Sequence, residues 1–412
     1  MSSPCSACLP QASGPVASAA PPARWAAVVS LSLGVFALVT AEFLPASLLT
    51  AMATDLGVTD GAAGQAVTAT ALVAAVAAPV IPLASHRLDR KVVLLALTSL
   101  LLASNVLAVA ASSLPVLLLA RVILGIALGG FWAMAAALAM RLVPEGLFAR
   151  AMSLVLTGVS LATVCAAPIG AWMGELWGWR SAFAAAGVLS ALTLAAQFTA
   201  LPPLPPRDRP DVRVLLGLLG RPGVRVALLA VLLVISGHFA GFTYIRPLME
   251  QVTHADVRTV SAVLLGYGVG GFFGNFAGGW LADRSERWSI VAGGSLIAVL
   301  AFALLAAAGS AALTAVAVTL WGFAFGAFPV GFQTWIVRAA PDQAEGAGGL
   351  LVAAFQVAIA SGAIGGGLLV DRVGPLGAPA FMAAAMVLGT LLTWRSGPRR
   401  GPVKVGGGNS HA

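Results

Sequence analysis

Gly279-Trp280-Leu281-Ala282-Asp283-Arg284-Ser285-Glu286-Arg287 packs four charges into nine residues and stands between two long apolar runs. Uncharged flanks of about twenty residues around a short charged turn read as two membrane-crossing helices and the loop that joins them. The pattern returns upstream as Pro82-Leu83-Ala84-Ser85-His86-Arg87-Leu88-Asp89-Arg90-Lys91, where Arg87 and Arg90 lie 197 residues before Arg284 and Arg287. Repetition of such a unit at so wide a spacing predicts two similar halves.

The composition points the same way. Of 412 residues, 9% are charged and 59% hydrophobic, and mean hydropathy is strongly positive. A soluble core of this length needs more polar surface. Counting runs long enough to span a bilayer gives twelve, near 25–48, 62–84, 91–112, 115–140, 151–173, 182–200, 224–245, 259–281, 289–308, 312–337, 347–370 and 378–394. In lipid an open strand edge has no partner, so the spans must be helices. The proline-rich stretch Leu201–Pro210 cannot continue a helix. The expected fold is therefore an all-α membrane protein of twelve transmembrane helices, arranged as two pseudo-symmetric halves at 25–200 and 224–395. A cytoplasmic linker occupies 201–223, with a short interfacial helix over Val212–Leu219. Residues 1–24 and 396–412 read as cytoplasmic tails, the first disordered.

Charge placement sets the expected orientation. With both termini cytoplasmic, 18 of the 23 Lys and Arg fall on the cytoplasmic side and 4 on the outer side, leaving Arg121 inside a span; cytoplasmic loops carry that excess. The net charge of +8 is thus spread over short loops and does not form a nucleic-acid surface. The partner expected from this composition is the lipid bilayer. Cys5-x-x-Cys8 lies in a Ser/Pro/Ala-rich tail, not in the strand–helix setting of a redox motif. No cofactor or metal is expected: there is no phosphate-binding loop, and His86, His238, His254 and His411 lack metal-ligand spacing. No nucleophile–base pattern suggests an enzyme.

The halves match elsewhere. Gly125, Gly129 and Phe131 recur as Gly322, Gly326 and Phe328, 197 residues on; Gly170 and Gly178 recur as Gly366 and Gly374, 196 on. Glu42-Phe43 falls on His238-Phe239, again 196 apart. In parallel-repeat membrane proteins a substrate site lies near the midplane between repeats. An ionisable residue within a span is costly and marks function by default. Glu42, Arg121 and His238 qualify as proton-coupling candidates, each about 8–9 Å from the outer edge at the helical rise per residue. Phe131, Trp132 and Phe328 are candidate stacking rings for a flat ligand, and Gln356, near the middle of span eleven, a candidate hydrogen-bonding group.

The two charged loops resemble the Gly-x-Leu-Ala-Asp-Arg-x-Gly-Arg signature of major facilitator superfamily transporters. Glu286 replaces the usual glycine of the second copy; His86 and Asp89 replace the acid and glycine of the first. Arg121-x-x-x-Gly125-x-x-x-Gly129 is similar to a further motif of the family, and Ala167-Pro168-Ile169-Gly170-Ala171 is a degenerate form of its antiporter motif. The resemblance covers residues 25 to 395 and points to the twelve-span drug:proton antiporter-1 branch. It implies a cytoplasmic gate built from Arg87, Asp89, Arg90, Asp283, Arg284 and Arg287, and spans one, four, seven and ten around a central cavity. Glu42–Thr50, Gly129–Met134, Arg141–Glu145, Phe242–Pro247 and Asp342–Glu345 are similar to bacterial exporters of purine ribonucleosides. The implied function is proton-coupled efflux across the bacterial inner membrane, with a small-molecule substrate and protons as partners and the chain acting as a monomer. A sugar or multidrug exporter is the alternative, and a non-transporting membrane sensor a third.

Overall fold

The computed structural model describes residues 23–144, 147–205, 217–306 and 309–397. Among them twelve helices are long and apolar enough to cross a membrane, and no residue is in a strand. The spans are α1 (Trp25–Leu56), α2 (Asp60–Ala84), α3 (Arg90–Val109), α4 (Leu114–Leu142), α5 (Phe148–Trp177), α6 (Trp179–Ala200), α7 (Pro222–Thr243), α8 (Val257–Ala282), α9 (Arg284–Ala306), α10 (Ala311–Ala339), α11 (Ala344–Val373) and α12 (Gly377–Ser396).

Local chemistry sets the ends. Gly57, in the left-handed region at φ 64°, stops α1, and Thr59 starts α2 by accepting from the Ala62 N–H. Asp89 caps α3 by accepting from the Lys91 N–H, and Ser310 caps α10 through Leu313. Such caps satisfy helix donors that have no partner inside the helix. Gly178 and Gly374, one of the repeated pairs, both turn the chain with positive φ, 79° and 85°. Side chains with a Cβ rarely adopt that conformation.

Neighbour relations repeat between halves. In the first, α1 packs on α5 and α6, and α4 on α2 and α3; in the second, α7 packs on α11 and α12, and α10 on α8 and α9. The halves meet along two seams, α2 with α11 and α5 with α8. Gly270, Gly274 and Gly278 of α8, four residues apart, rest directly against α10 at Thr319, Phe323 and Ala327. Small residues at that spacing let helix backbones approach closely in lipid. Large apolar side chains such as Val76, Phe198, Phe276 and Val299 point outward, as they must where the solvent is hydrocarbon.

Two sequence expectations are modified. The charged stretch at 282–287 is no open loop: helix runs up to it and resumes at once, broken at Ser285. Span ten is two helical pieces, Ala311–Gly326 and Phe328–Ala339; Pro329 lacks the N–H that would continue the ladder. The expected helix at Val212–Leu219 lies largely outside the described residues, as do most of the two tails.

Candidate functional site

By helix parity the turn at 85–89 and the helix break at Ser285 lie at one end of the bundle, here called the basic end, with residues 24 and 397; the turn at 57–59 and the segment after Thr243 lie at the distal end. Between these ends, α1 carries the central feature. Pro45 inside α1 has no N–H, so the carbonyl four residues earlier, Ala41, loses its helical donor. Arg121 of α4 supplies one: its Nη1 donates to the Ala41 carbonyl at 2.9 Å. The guanidinium is fully buried and lies over the Phe183 ring at 4.9 Å. Its Nε and Nη2 have no hydrogen-bond partner among the described residues. Glu42 is within electrostatic reach of the guanidinium, though no ion-pair contact joins the two among the described residues. The Glu42 carboxyl also faces the side chain of Gln356 on α11. One carboxyl of the first half therefore faces a cation of its own half and an amide of the other.

A small pocket opens beside Glu42, bounded by Phe43, Ala46, Val67, Phe239, Phe242 and Thr243. It has room for little more than a water molecule. Phe43 meets Phe242 across the two halves, ring centroids 5.6 Å apart and edge to face. His238 does not reach Glu42's polar group; it is held in an aromatic cage of its own half. The Trp321 Nε1–H donates to its Nδ1 at 3.0 Å. An indole N–H only donates, so Nδ1 is unprotonated and the neutral ring carries its hydrogen on Nε2, 3.3 Å from the Tyr267 hydroxyl. Phe325 stacks on the imidazole at 3.5 Å.

Phe131 and Phe328 are fully buried inside their own halves. Phe131 packs on Gly34 of α1 and Gln197 of α6, and Phe328 on Gly293 of α9. Trp132 is half-buried at the edge of the first half's core. None of the three rings bounds the pocket.

The distal end is tied shut across the halves. Arg246, 4% exposed, donates to the Ser47 carbonyl at 2.6 Å and to Glu250 at 2.6 Å. Asp371, at the end of α11, accepts from the Gly61 N–H at 2.9 Å and the Thr59 hydroxyl at 3.0 Å. It thereby caps the N-terminus of α2, where a carboxylate is favoured. Gln251 donates to Asp60 at 2.8 Å. The Tyr244 hydroxyl, fully buried, donates to the Ala363 carbonyl at 2.8 Å and lies so close to Gly64 and Gly367 that a Cβ on either would collide with it.

At the basic end the following contacts, among the described residues, lie within each half. Asp89 accepts from the Leu204 N–H at 2.9 and 3.0 Å, fastening the start of the linker. Arg90 donates to the Ser85 hydroxyl at 2.9 Å, and Arg87 is exposed. Arg284 lies over Trp280 at 3.5 Å. Arg287 donates to the Trp394 carbonyl. The side chain of Asp283 is outside the described residues. Glu286, the departure from the signature glycine, is buried and paired with Arg338 of α10.

The distal tie has little signal in the sequence: Arg246 is one of the four outer-side cations, and Asp371 carries no motif, although it stands 196 residues after Glu175, the repeat spacing. Arg221, entering α7, grips Asp342 with two bonds of 2.6 and 2.7 Å, which holds the Asp342 carboxyl down at about 2. Among the described residues no group of three His, Cys, Asp or Glu could hold a metal.

Twelve apolar helices in two like halves, with ionisable side chains buried near their junction, define a membrane transporter rather than an enzyme. The chain matches the family model described as Major Facilitator Superfamily over residues 31–348 and 247–410. It belongs to that superfamily. Among curated relatives, the purine ribonucleoside efflux pump NepI of Salmonella paratyphi B is 40% identical over 90% of this chain and 93% of its own. The pump of the same name from Salmonella enteritidis is also 40% identical with the same coverage. Two solved structures share the fold. A D-xylose-proton symporter has TM-score 0.74 at 17% identity, covering 92% of this chain and 98% of its own. The human organic anion transporter MFSD10 has TM-score 0.66 at 19% identity, covering 90% and 100%.

Proposed function

We propose that the chain exports purine ribonucleosides from the bacterial cytoplasm in exchange for protons, by alternating access. The observation that carries the reading is Glu42: a buried carboxyl at the junction of the halves, with Arg121 near it from its own half and Gln356 from the other. Any rocking of one half on the other changes the distance from Glu42 to Gln356, so its affinity for a proton differs between states. A carboxylate beside a guanidinium holds its charge, and one left alone in hydrocarbon binds a proton. His238 stays a second carrier only if Trp321 moves, since a proton on Nδ1 would meet the indole N–H. In orientation the basic end faces the cytoplasm, which makes the tied distal end the outer gate and this arrangement one closed to the outside. The stacking surface for the base is the Phe43–Phe242 pair, which parts when the halves separate; Phe131, Trp132 and Phe328 serve as packing rings behind it. Arg87, Asp89, Arg90, Asp283, Arg284 and Arg287 belong to the gate at the other end, engaged across the halves in the opposite state.

The substrate is tested by counterflow in proteoliposomes with labelled inosine, an arabinose analogue and a cationic dye. The reading expects inosine exchange well above protein-free vesicles and none of the other two. Exchange of the sugar or the dye without inosine would assign the chain to a different export activity.

A further inference from the structure

We propose that the furrow between α3 and α6, on the lipid-facing side of the first half, binds one anionic phospholipid. An acyl chain lies along the furrow and the phosphate meets Lys91.

The furrow follows from how the two helices pack. Buried polar bonds draw their inner faces together: the Thr98 hydroxyl donates to the Gln197 side-chain oxygen at 2.6 Å, and the Asn105 amide to the Ser190 hydroxyl at 3.1 Å. On the outer faces Ser99, Ala191 and Ala195 are too small to fill the space between the helices. A cleft of about 460 Å³ remains, lined also by Leu95, Leu102 and Phe198. These residues lie four and then three apart on each helix, so each set forms one lengthwise stripe. The lining is apolar, and Ser99 directs its hydroxyl to the Leu95 carbonyl. Water finds no partners in such a space, whereas an alkyl chain fills it. From Lys91 to Leu102 is eleven residues, or about 16 Å of helix. That is close to the depth of one leaflet in a hydrocarbon core of about 30 Å.

Charge selects the head group. Lys91 stands at the basic-end mouth of the cleft, its Nζ 5.5 Å from the centre of the Phe198 ring. It makes no ion pair among the described residues. Asp89, the neighbouring carboxylate, is engaged by the Lys91 and Leu204 N–H groups. Arg87, exposed, adds positive charge nearby. A lysine stem lies on apolar surface while its ammonium stays at the interface, the level of a lipid phosphate. A zwitterionic lipid carries a cation of its own to that level; an anionic one does not. The second half lacks the cation, since Trp288 stands 197 residues after Lys91. A second copy of the chain fits less well, because a two-fold contact through this face brings two Lys91 ammonium groups together.

The test is native mass spectrometry of the purified full chain, titrated with phosphatidylglycerol or phosphatidylcholine of matched acyl chains, reading the affinity of the first lipid bound. Wild type should take phosphatidylglycerol about fivefold more tightly, the weight of one cation beside an anionic head group. Lys91→Gln should erase the preference and Lys91→Arg should keep it. Ala195→Trp occupies the cleft from the lipid side and leaves the inner-face bonds in place. It should weaken the first site about tenfold for both lipids, as if two buried methylenes were lost. Thermal unfolding of each variant in the same detergent should match wild type, which separates loss of the site from loss of the fold. Equal affinity of wild type for the two lipids, or a preference that survives Lys91→Gln, overturns the head-group assignment. First-lipid binding unchanged in Ala195→Trp overturns the cleft as its seat. A wild-type dimer that Ala195→Trp dissociates would give this face to a second copy and overturns the lipid.

Discussion

Arg121 and Pro45 explain each other at the scale of single residues. The proline leaves the Ala41 carbonyl without its helical donor, and the arginine replaces that donor from the neighbouring helix. Arg121→Ala should therefore lower stability by about 1–3 kcal/mol, the cost of orphaning a buried acceptor. In Pro45→Ala the restored N–H can take that acceptor, so the Arg121→Ala/Pro45→Ala double variant should lose less than the two single losses added. Thermal unfolding of the four proteins in one detergent reads the difference; strict additivity would mean the contact does not bear on stability. The Asp342–Arg221 pair makes a contrasting claim. The Asp342 carboxyl sits at about 2, below its ordinary value of 3.8. Its contribution is thus fully present above the ordinary value and fades only as pH falls toward 2. Asp342→Asn should leave the shape of the pH–transport curve between about pH 5 and 8 unchanged. A shifted curve would tie this exposed pair to coupling.

Among elements, the distal ends of α2, α7 and α11 hold the halves together. Tyr244 fits because Gly64 and Gly367 have no Cβ; on Gly64 a Cβ would stand 2.1 Å from the tyrosine hydroxyl. The ring is rigid, so Gly64→Ala must push α2 from α11 or expel Tyr244. A cysteine placed on the distal turn should then react faster with a membrane-impermeant maleimide than in the parent, and Asp371→Asn should act in the same direction by weakening the cap on α2. Unchanged labelling in both would show that the tie does not set closure. The sequence predicted the twelve spans because lipid permits little else, and the charged stretch at 279–287 because charge must leave the hydrocarbon. Their ends were harder: α1 continues to Leu56, where only the left-handed Gly57 stops it, and α8 turns into α9 at Ser285 without an intervening loop. Hydropathy falls at a charge whether or not the helix does.

Over the whole molecule the sequence marked Glu42 and Arg121 by cost alone, since neither charge belongs in a span without a purpose. It could not foresee that His238, the repeat mate of Glu42, is walled in by Trp321, Tyr267 and Phe325. That distinction depends on packing between helices, which repeat spacing does not encode. The proposed sidedness rests on the excess of Lys and Arg at the basic end. Cysteines at 87 and 284 should both be labelled from the cytoplasm, and labelling of either from outside would reverse the assignment of inner and outer gates. The central claim is that Glu42 links proton movement to export. It is tested most directly by inosine flux in proteoliposomes carrying wild type or Glu42→Gln, driven once by an imposed pH gradient and once by inosine counterflow. The account predicts that Glu42→Gln loses the gradient-driven flux and retains counterflow; full gradient-driven flux by Glu42→Gln would contradict it.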